Sequence, residues 1–372
     1  MEGILHAYIK KPALNLFEYT TRHPTTPSVL PATPPNILLF VGGLYDNFSS
    51  PPYLIDLAEL FPRHNDQQWA LMHVQLSSAM KGFGTSDISR DIEEIGLAIT
   101  HIRDVIRKGK LTNVVLLGQS TGCQDILHYI SAPNTNDPLR PIVQGAILQA
   151  PLSDRDALMV FKVNKDPERK AFFEKCMQLI ATIPEDEHKT HVLPLTWTMP
   201  LFGRAPLCVS RFLDLASPSS PENPRQEDFF SHDLHESRLN ETFGQVGARQ
   251  VLGQAKAAQP SVLILISESD EVVSQPATAQ DLLQKWEKEL ASDSARSIAL
   301  HSESTCIKDA THDISGGSPA QQKARLVSFR GALLQYLDAV VGGVDEFAFD
   351  IYRQSKDKFG QLEKEGAADV KP

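Results

Sequence analysis

The sequence predicts an α/β fold built on a mostly parallel, doubly wound sheet. Runs such as Ile37-Leu38-Leu39-Phe40-Val41 and Val114-Val115-Leu116-Leu117 are apolar at every position, as expected of strands buried on both faces. Between such runs lie segments with helical spacing. Strand and helix alternate as right-handed crossover connections require.

The elements follow in order. Two extended runs, Ile4–Ile9 and Ala13–Tyr19, open the chain, and a proline-rich loop, Thr25–Pro35, leads into the strand that ends at Gly42-Gly43. Pro51 and Pro52 suit the first turn of a helix reaching Phe61. Trp69–Leu76 reads as the next strand. Ser86 or Asp87 then caps a long helix whose stripe is Ile88, Ile92, Ile95, Ile99, Ile102 and Ile106. Gly109, with Arg107, Lys108 and Lys110, suits its C-terminus. After Val114–Leu117 come a helix over Gly122–Ile130 and a strand over Val143–Leu148. The alternation resumes at Val262–Ile266, then a helix Ala277–Leu290, a strand Ile298–His301 and a helix Pro319–Val341.

Between these halves the pattern breaks. From Asp154 to about Gln254 proline, aromatic and charged residues mix with short helical stretches such as Glu168–Ile183, and Ser217–Asp233 reads as loop. An insertion of this length between strands 6 and 7 is expected to form a lid over the site; a disordered spacer is the competing reading. The organisation expected is a core over 1–153 and 255–345, a lid over 154–254, and a charged helix or tail over 346–372.

The 372 residues, 41% hydrophobic, suffice for a large core. A formal net charge of -10 argues against nucleic acid or an anionic membrane as partner. The N-terminal apolar runs are too short for a signal peptide, and none is long enough for a membrane span. Cys123, Cys176, Cys208 and Cys306 form no zinc or redox spacing and read as reduced thiols of a cytoplasmic protein.

The chemistry-bearing motif is Gly118-Gln119-Ser120-Thr121-Gly122, between a strand and a helix. G-x-S-x-G in that setting is the nucleophile elbow of the α/β-hydrolase fold, where a sharp turn presents the serine at the C-terminal edge of the sheet. The partners should follow as acid, then histidine. Three carboxylates compete after Val262–Ile266. Asp270 is favoured, because Asp-x-Val-Val sets the acid in the loop and turns the valines toward the core; Glu268 is second. His312, in a small-residue loop before the last helix, fits the base better than His301 inside a strand. The Thr121 N–H is one oxyanion donor; the other comes from Val41-Gly42-Gly43-Leu44, with Leu44 favoured and Gly43 the alternate. Cys123 reads as a buried helix residue. His232, Asp233 and His235 lack the companions of a metal site.

Gly42-Gly43-Leu44, the GQSTGCQD elbow, the stretch Val209–Asp233, the Ser-Glu-Ser-Asp-Glu-Val-Val loop and His312 resemble the fungal and plant α/β-hydrolases that include fusarinine C esterase. The resemblance spans nearly the whole chain, and the stretch Val209–Asp233 is its most specific part. It implies a cytoplasmic esterase that opens a hydroxamate siderophore, fusarinine C or its triacetylated form, to release iron. The triad it implies is Ser120, Asp270 and His312, with no cofactor and with any ferric ion arriving as part of the substrate. A general carboxylesterase, lipase or thioesterase, and a catalytically inactive binding protein of the same fold, are the competing functions.

Overall fold

A computed structural model describes residues 2–11, 13–20, 36–61, 69–108, 112–131, 140–238, 241–242, 261–272, 279–291 and 298–341. The tail expected over 346–372 lies outside the described residues, as does the end of the insertion.

The strands are β1 (Glu2–Lys10), β2 (Ala13–Thr20), β3 (Asn36–Val41), β4 (Trp69–Val74), β5 (Asn113–Gln119), β6 (Gly145–Gln149), β7 (Ser261–Ser267), β8 (Ala299–Leu300) and β9 (Thr305–Ile307). They form one sheet in the order β1-β2-β4-β3-β5-β6-β7-β8, with β9 also on β7. The hairpin of β1 and β2 and the pairing of β2 with β4 are antiparallel; all other pairings are parallel. Every residue of β3, β4, β5 and β6 is buried, which accounts for their unbroken apolar runs.

Helices cover both faces. On one lie α2 (Ile88–His101, continuing as a wider turn through Ile106), α3 (Gly122–Ser131) and α8 (Ala279–Ala291), packed through Ile92, Ile95, Ile99, Ile126 and Trp286. On the other lie α1 (Tyr53–Leu60) and α9 (Pro319–Val341), packed through Tyr53, Leu57, Phe329 and Tyr336. Asp87 caps α2 by accepting the Arg90 N–H at 3.0 Å.

The last edge strand departs from expectation. The sequence reading ends the sheet at Ile298–His301, but the chain turns there, with the Ser304 N–H bonded to the His301 carbonyl at 2.8 Å, and rejoins β7 as β9. At the break the Ser304 hydroxyl takes the Ile264 N–H at 3.1 Å, filling the missing rung. The second segment, not the first, leads to His312.

Between β6 and β7 stand α4 (Asp154–Leu158), α5 (Pro167–Ile180), α6 (Leu195–Phe202) and α7 (Val209–Ala216). They enclose an apolar cluster of their own around Phe173, Leu201, Phe212 and Leu215, which also takes Phe83 from the core. Among the described residues no helix is long and apolar enough to cross a membrane.

Candidate active site

Ser120 sits between β5 and α3 with φ +58°, a left-handed conformation that L-residues avoid except where packing enforces it. The spacing of the motif has a steric cause. A Cβ on Gly118 would lie 2.6 Å from the Gly122 carbonyl oxygen, and one on Gly122 would lie 2.3 Å from that of Val41. Only glycine lets the turn close against itself and against β3. The Ser120 N–H donates to the Gln149 carbonyl at 3.2 Å, and its carbonyl accepts the Cys123 N–H at 3.0 Å, opening α3.

The structure brings two of the expected partners together. His312 Nδ1 donates to Asp270 Oδ2 at 2.7 Å. The pair is largely sheltered, with 12% and 13% of the two side chains exposed. Burial opposes a charged imidazole at His312, but the bond to Asp270 and the charges of Asp270, Glu271 and Asp46 outweigh it and raise its pKa. Glu268 is engaged elsewhere: its Oε2 accepts the Asp309 N–H at 2.9 Å. The valine argument for Asp270 fails at Val272, which is 41% exposed; Val273 lies outside the described residues. The acid is held instead by its loop, where Oδ1 accepts the Val272 N–H at 2.9 Å.

Further residues fix His312, and sequence reasoning missed them. Its N–H donates to Glu271 at 2.9 Å. Its carbonyl accepts from the side chains of Gln149 at 3.2 Å and Gln119 at 3.4 Å. Gln119 precedes the serine and Gln149 receives the serine's own N–H, so the histidine loop is stitched to the elbow. From α9, Arg325 donates to the carbonyls of Asp309 at 2.7 Å and Ser315 at 2.8 Å, closing the loop around His312. The position of Gln119 inside the motif was the one available signal.

The loop after β3 lies against the serine: a Cβ on Gly43 would come within 2.9 Å of that of Ser120. One expectation is corrected here. The Gly43 N–H, the alternate oxyanion donor, is taken by Asp46 Oδ2 at 2.7 Å, while Asp46 Oδ1 accepts from the Ser50 hydroxyl at 2.9 Å. Asp46 therefore shapes the loop, and the Leu44 and Thr121 N–H groups have no acceptor among the described residues.

Cys123 is fully buried, with Sγ 3.2 Å from the Gln149 carbonyl oxygen, and burial pushes its thiol well up, so it is no competing nucleophile. His232 and Asp233 do meet Asp156. Arg155 covers Asp233, and Asp156 accepts both the His232 ring at 3.0 Å and its N–H at 2.9 Å, so the carboxylates are already satisfied. His235 is not part of that group.

The chain belongs to the family of proteins of unknown function DUF1749, whose profile matches residues 1–335. It is 33% identical over 366 residues to the fusarinine C esterase sidJ of Aspergillus fumigatus, covering 92% of this chain and 97% of that one. It is also 33% identical to the esterase AN6793 of Emericella nidulans, with 87% and 90% covered. Among solved structures, the siderophore hydrolase EstB of Aspergillus fumigatus superposes with a TM-score of 0.73 at 32% identity, covering 92% and 98%. The fold is that of the α/β-hydrolases.

Proposed function

We propose that the chain is a serine esterase that opens ester bonds of a fusarinine-type hydroxamate siderophore. The observation that carries the chemistry is the left-handed Ser120 on its elbow, tied through Gln119 and Gln149 to a histidine that is itself bonded to a carboxylate. The substrate rests on the two siderophore-hydrolysing relatives at 32% and 33% identity.

In this reading His312 takes the proton of the Ser120 hydroxyl as the oxygen attacks the ester carbonyl. Asp270 holds Nδ1–H, so that Nε2 is the basic nitrogen, and it stabilises the imidazolium that forms. The N–H groups of Leu44 and Thr121 receive the oxyanion. His312 then gives its proton to the leaving alkoxide. Water, activated by the same imidazole, hydrolyses the acyl-enzyme and restores Ser120. Ester cleavage breaks a cyclic hydroxamate into weaker ligands for iron, and the unpaired cysteines suit work in the cytoplasm.

The test is hydrolysis of fusarinine C, in iron-free and ferric forms, followed by mass spectrometry with wild type and Ser120→Ala. Ring-opened product from wild type only is expected. Undiminished turnover by Ser120→Ala would overturn the nucleophile. Fast cleavage of simple acyl esters with none of fusarinine C would overturn the substrate.

A further inference from the structure

The loop after β3 carries a proposed oxyanion donor at the tip of a turn. The Asp46 N–H donates to the Gly43 carbonyl at 3.1 Å, which makes Leu44 and Tyr45 the two central residues of a β-turn. We infer that Tyr45 is a positioning residue: its hydroxyl ties this turn to the insertion, and so sets the Leu44 N–H against the serine. The inference rests on the esterase reading above and deepens it.

On one side the loop borders open space. A cavity of about 30 Å³ is walled by Gly42, Gly43 and Leu44 together with the carboxyl groups of Asp91, Asp125 and Glu227. Asp46 holds the base of the turn, through its carboxylate on the Gly43 N–H and its own N–H on the Gly43 carbonyl. Neither bond reaches the tip.

The tip is held from the insertion. Leu44 packs its side chain against the apolar cluster that the insertion encloses. Tyr45 stands edge-on to Phe83 of that cluster, with ring centroids 5.3 Å apart. Its hydroxyl donates to the Phe202 carbonyl at 2.6 Å, across 157 residues. Tyr45 is 58% exposed, so its ring buries little apolar area and the directed bond is its main contribution.

The acceptor is available because α6 ends there. Phe202 is the last residue of α6, and the final carbonyls of a helix have no partner within it. Gly203, with φ +73°, turns the chain away. Lys162 takes the adjacent Leu201 carbonyl at 2.7 Å, so this helix end is itself anchored inside the insertion. Burial of the Tyr45 hydroxyl, with Asp154 nearby, raises its pKa above the ordinary 10 and keeps it a donor.

The consequence for the chemistry is geometric. An oxyanion donor must stand about 2.7–3.1 Å from the developing charge, and losing one costs about 10²–10³ in kcat. A turn released at its tip forfeits part of that stabilisation, because small misplacements of a catalytic group are costly.

The experiment uses Tyr45→Phe, which keeps the ring beside Phe83 and removes only the hydroxyl, with p-nitrophenyl acetate as probe. kcat should fall about tenfold with KM little changed. A trifluoromethyl ketone, which captures Ser120 as a tetrahedral oxyanion, should bind more weakly by the same factor, while the melting temperature holds. A kcat equal to wild type overturns the inference, as does a rise in KM alone, which would make Tyr45 a wall that substrate touches. A fall in kcat without weaker ketone binding also overturns it. Should wild type cleave no ester, the esterase reading fails first, and hydrogen exchange decides the tie. Faster exchange over residues 42–46 in Tyr45→Phe, with the rest of the chain unchanged, upholds the tie; equal exchange dismisses it.

Discussion

The elbow at Ser120 and the insertion between β6 and β7 are held by different forces. The elbow is steric: Gly118 and Gly122 let backbone approach backbone within distances that no Cβ permits, and the surrounding strands are buried throughout. The insertion is held by scattered side-chain contacts, polar and apolar. Arg211 reaches the Phe83 carbonyl, 128 residues away, and pairs with Glu227; Arg155 reaches Asp233 across 78 residues; Ser153 bonds Ser231 at 2.7 Å, and Ser231 bonds Asp228; Phe229 and Phe230 join the apolar cluster of the core. Contacts of the first kind include one inside the motif, Gly118 against the Gly122 carbonyl, so a spacing of glycines reports them. Contacts of the second kind join residues with no periodic relation.

The largest expected effect separates both regions from the chemistry they serve. Asp270→Asn should lower kcat by about 10⁴ without disturbing elbow or insertion, because it leaves the imidazole in the wrong tautomer. Steady-state kinetics beside a melting curve check this. A comparable loss in Glu268→Gln, whose carboxylate here holds the Asp309 N–H, would move the role to that residue.

Next come two substitutions that set insertion against elbow. Arg211→Ala leaves Glu227 buried without its cation, and breaking such a pair costs about 3–5 kcal/mol. Gly122→Ala forces a methyl onto the Val41 carbonyl, an overpacking worth about 1–3 kcal/mol. Urea unfolding followed by tryptophan fluorescence measures both. The two should also differ in kind. Arg211→Ala should increase proteolytic cutting within the insertion, while Gly122→Ala should lower kcat by displacing Ser120. Equal cutting in both variants would mean that insertion and elbow unfold as one unit.

The same division explains what was legible beforehand. The central strands, the isoleucine stripe of α2 and the elbow follow from short-range patterns, and each stands where it was expected. Asp270 was named for a partly mistaken reason: its valine neighbour is exposed, and what holds the acid is a loop hydrogen bond. The break between β8 and β9 escaped notice because a serine hydroxyl replaces one backbone rung, which leaves no trace in hydropathy. Gln149, Arg325 and the carboxyl groups behind the loop after β3 were invisible because they meet their neighbours through contacts distant in sequence.

The smallest effect expected concerns Asp46, which belongs to the elbow side by geometry and to the polar side by charge. Its carboxylate takes the Gly43 N–H and is one of the charges that favour protonated His312. In the proposed mechanism the base must be neutral to accept the serine proton, so kcat/KM should rise with pH through the His312 pKa, which lies above the ordinary 6.5. Removing a nearby negative charge favours the neutral ring. Asp46→Asn should therefore move the acid limb of the pH–rate profile to lower pH, modestly, since burial and Asp270 weigh more. The Asn carbonyl can still accept the Gly43 N–H, so the plateau of kcat should change little. Asp46→Ala loses charge and hydrogen bond together, and should move the limb the same way while lowering the plateau as the oxyanion loop loosens. If Asn lowered the plateau as far as Ala, the charge of Asp46 and not its hold on Gly43 would be what the loop requires.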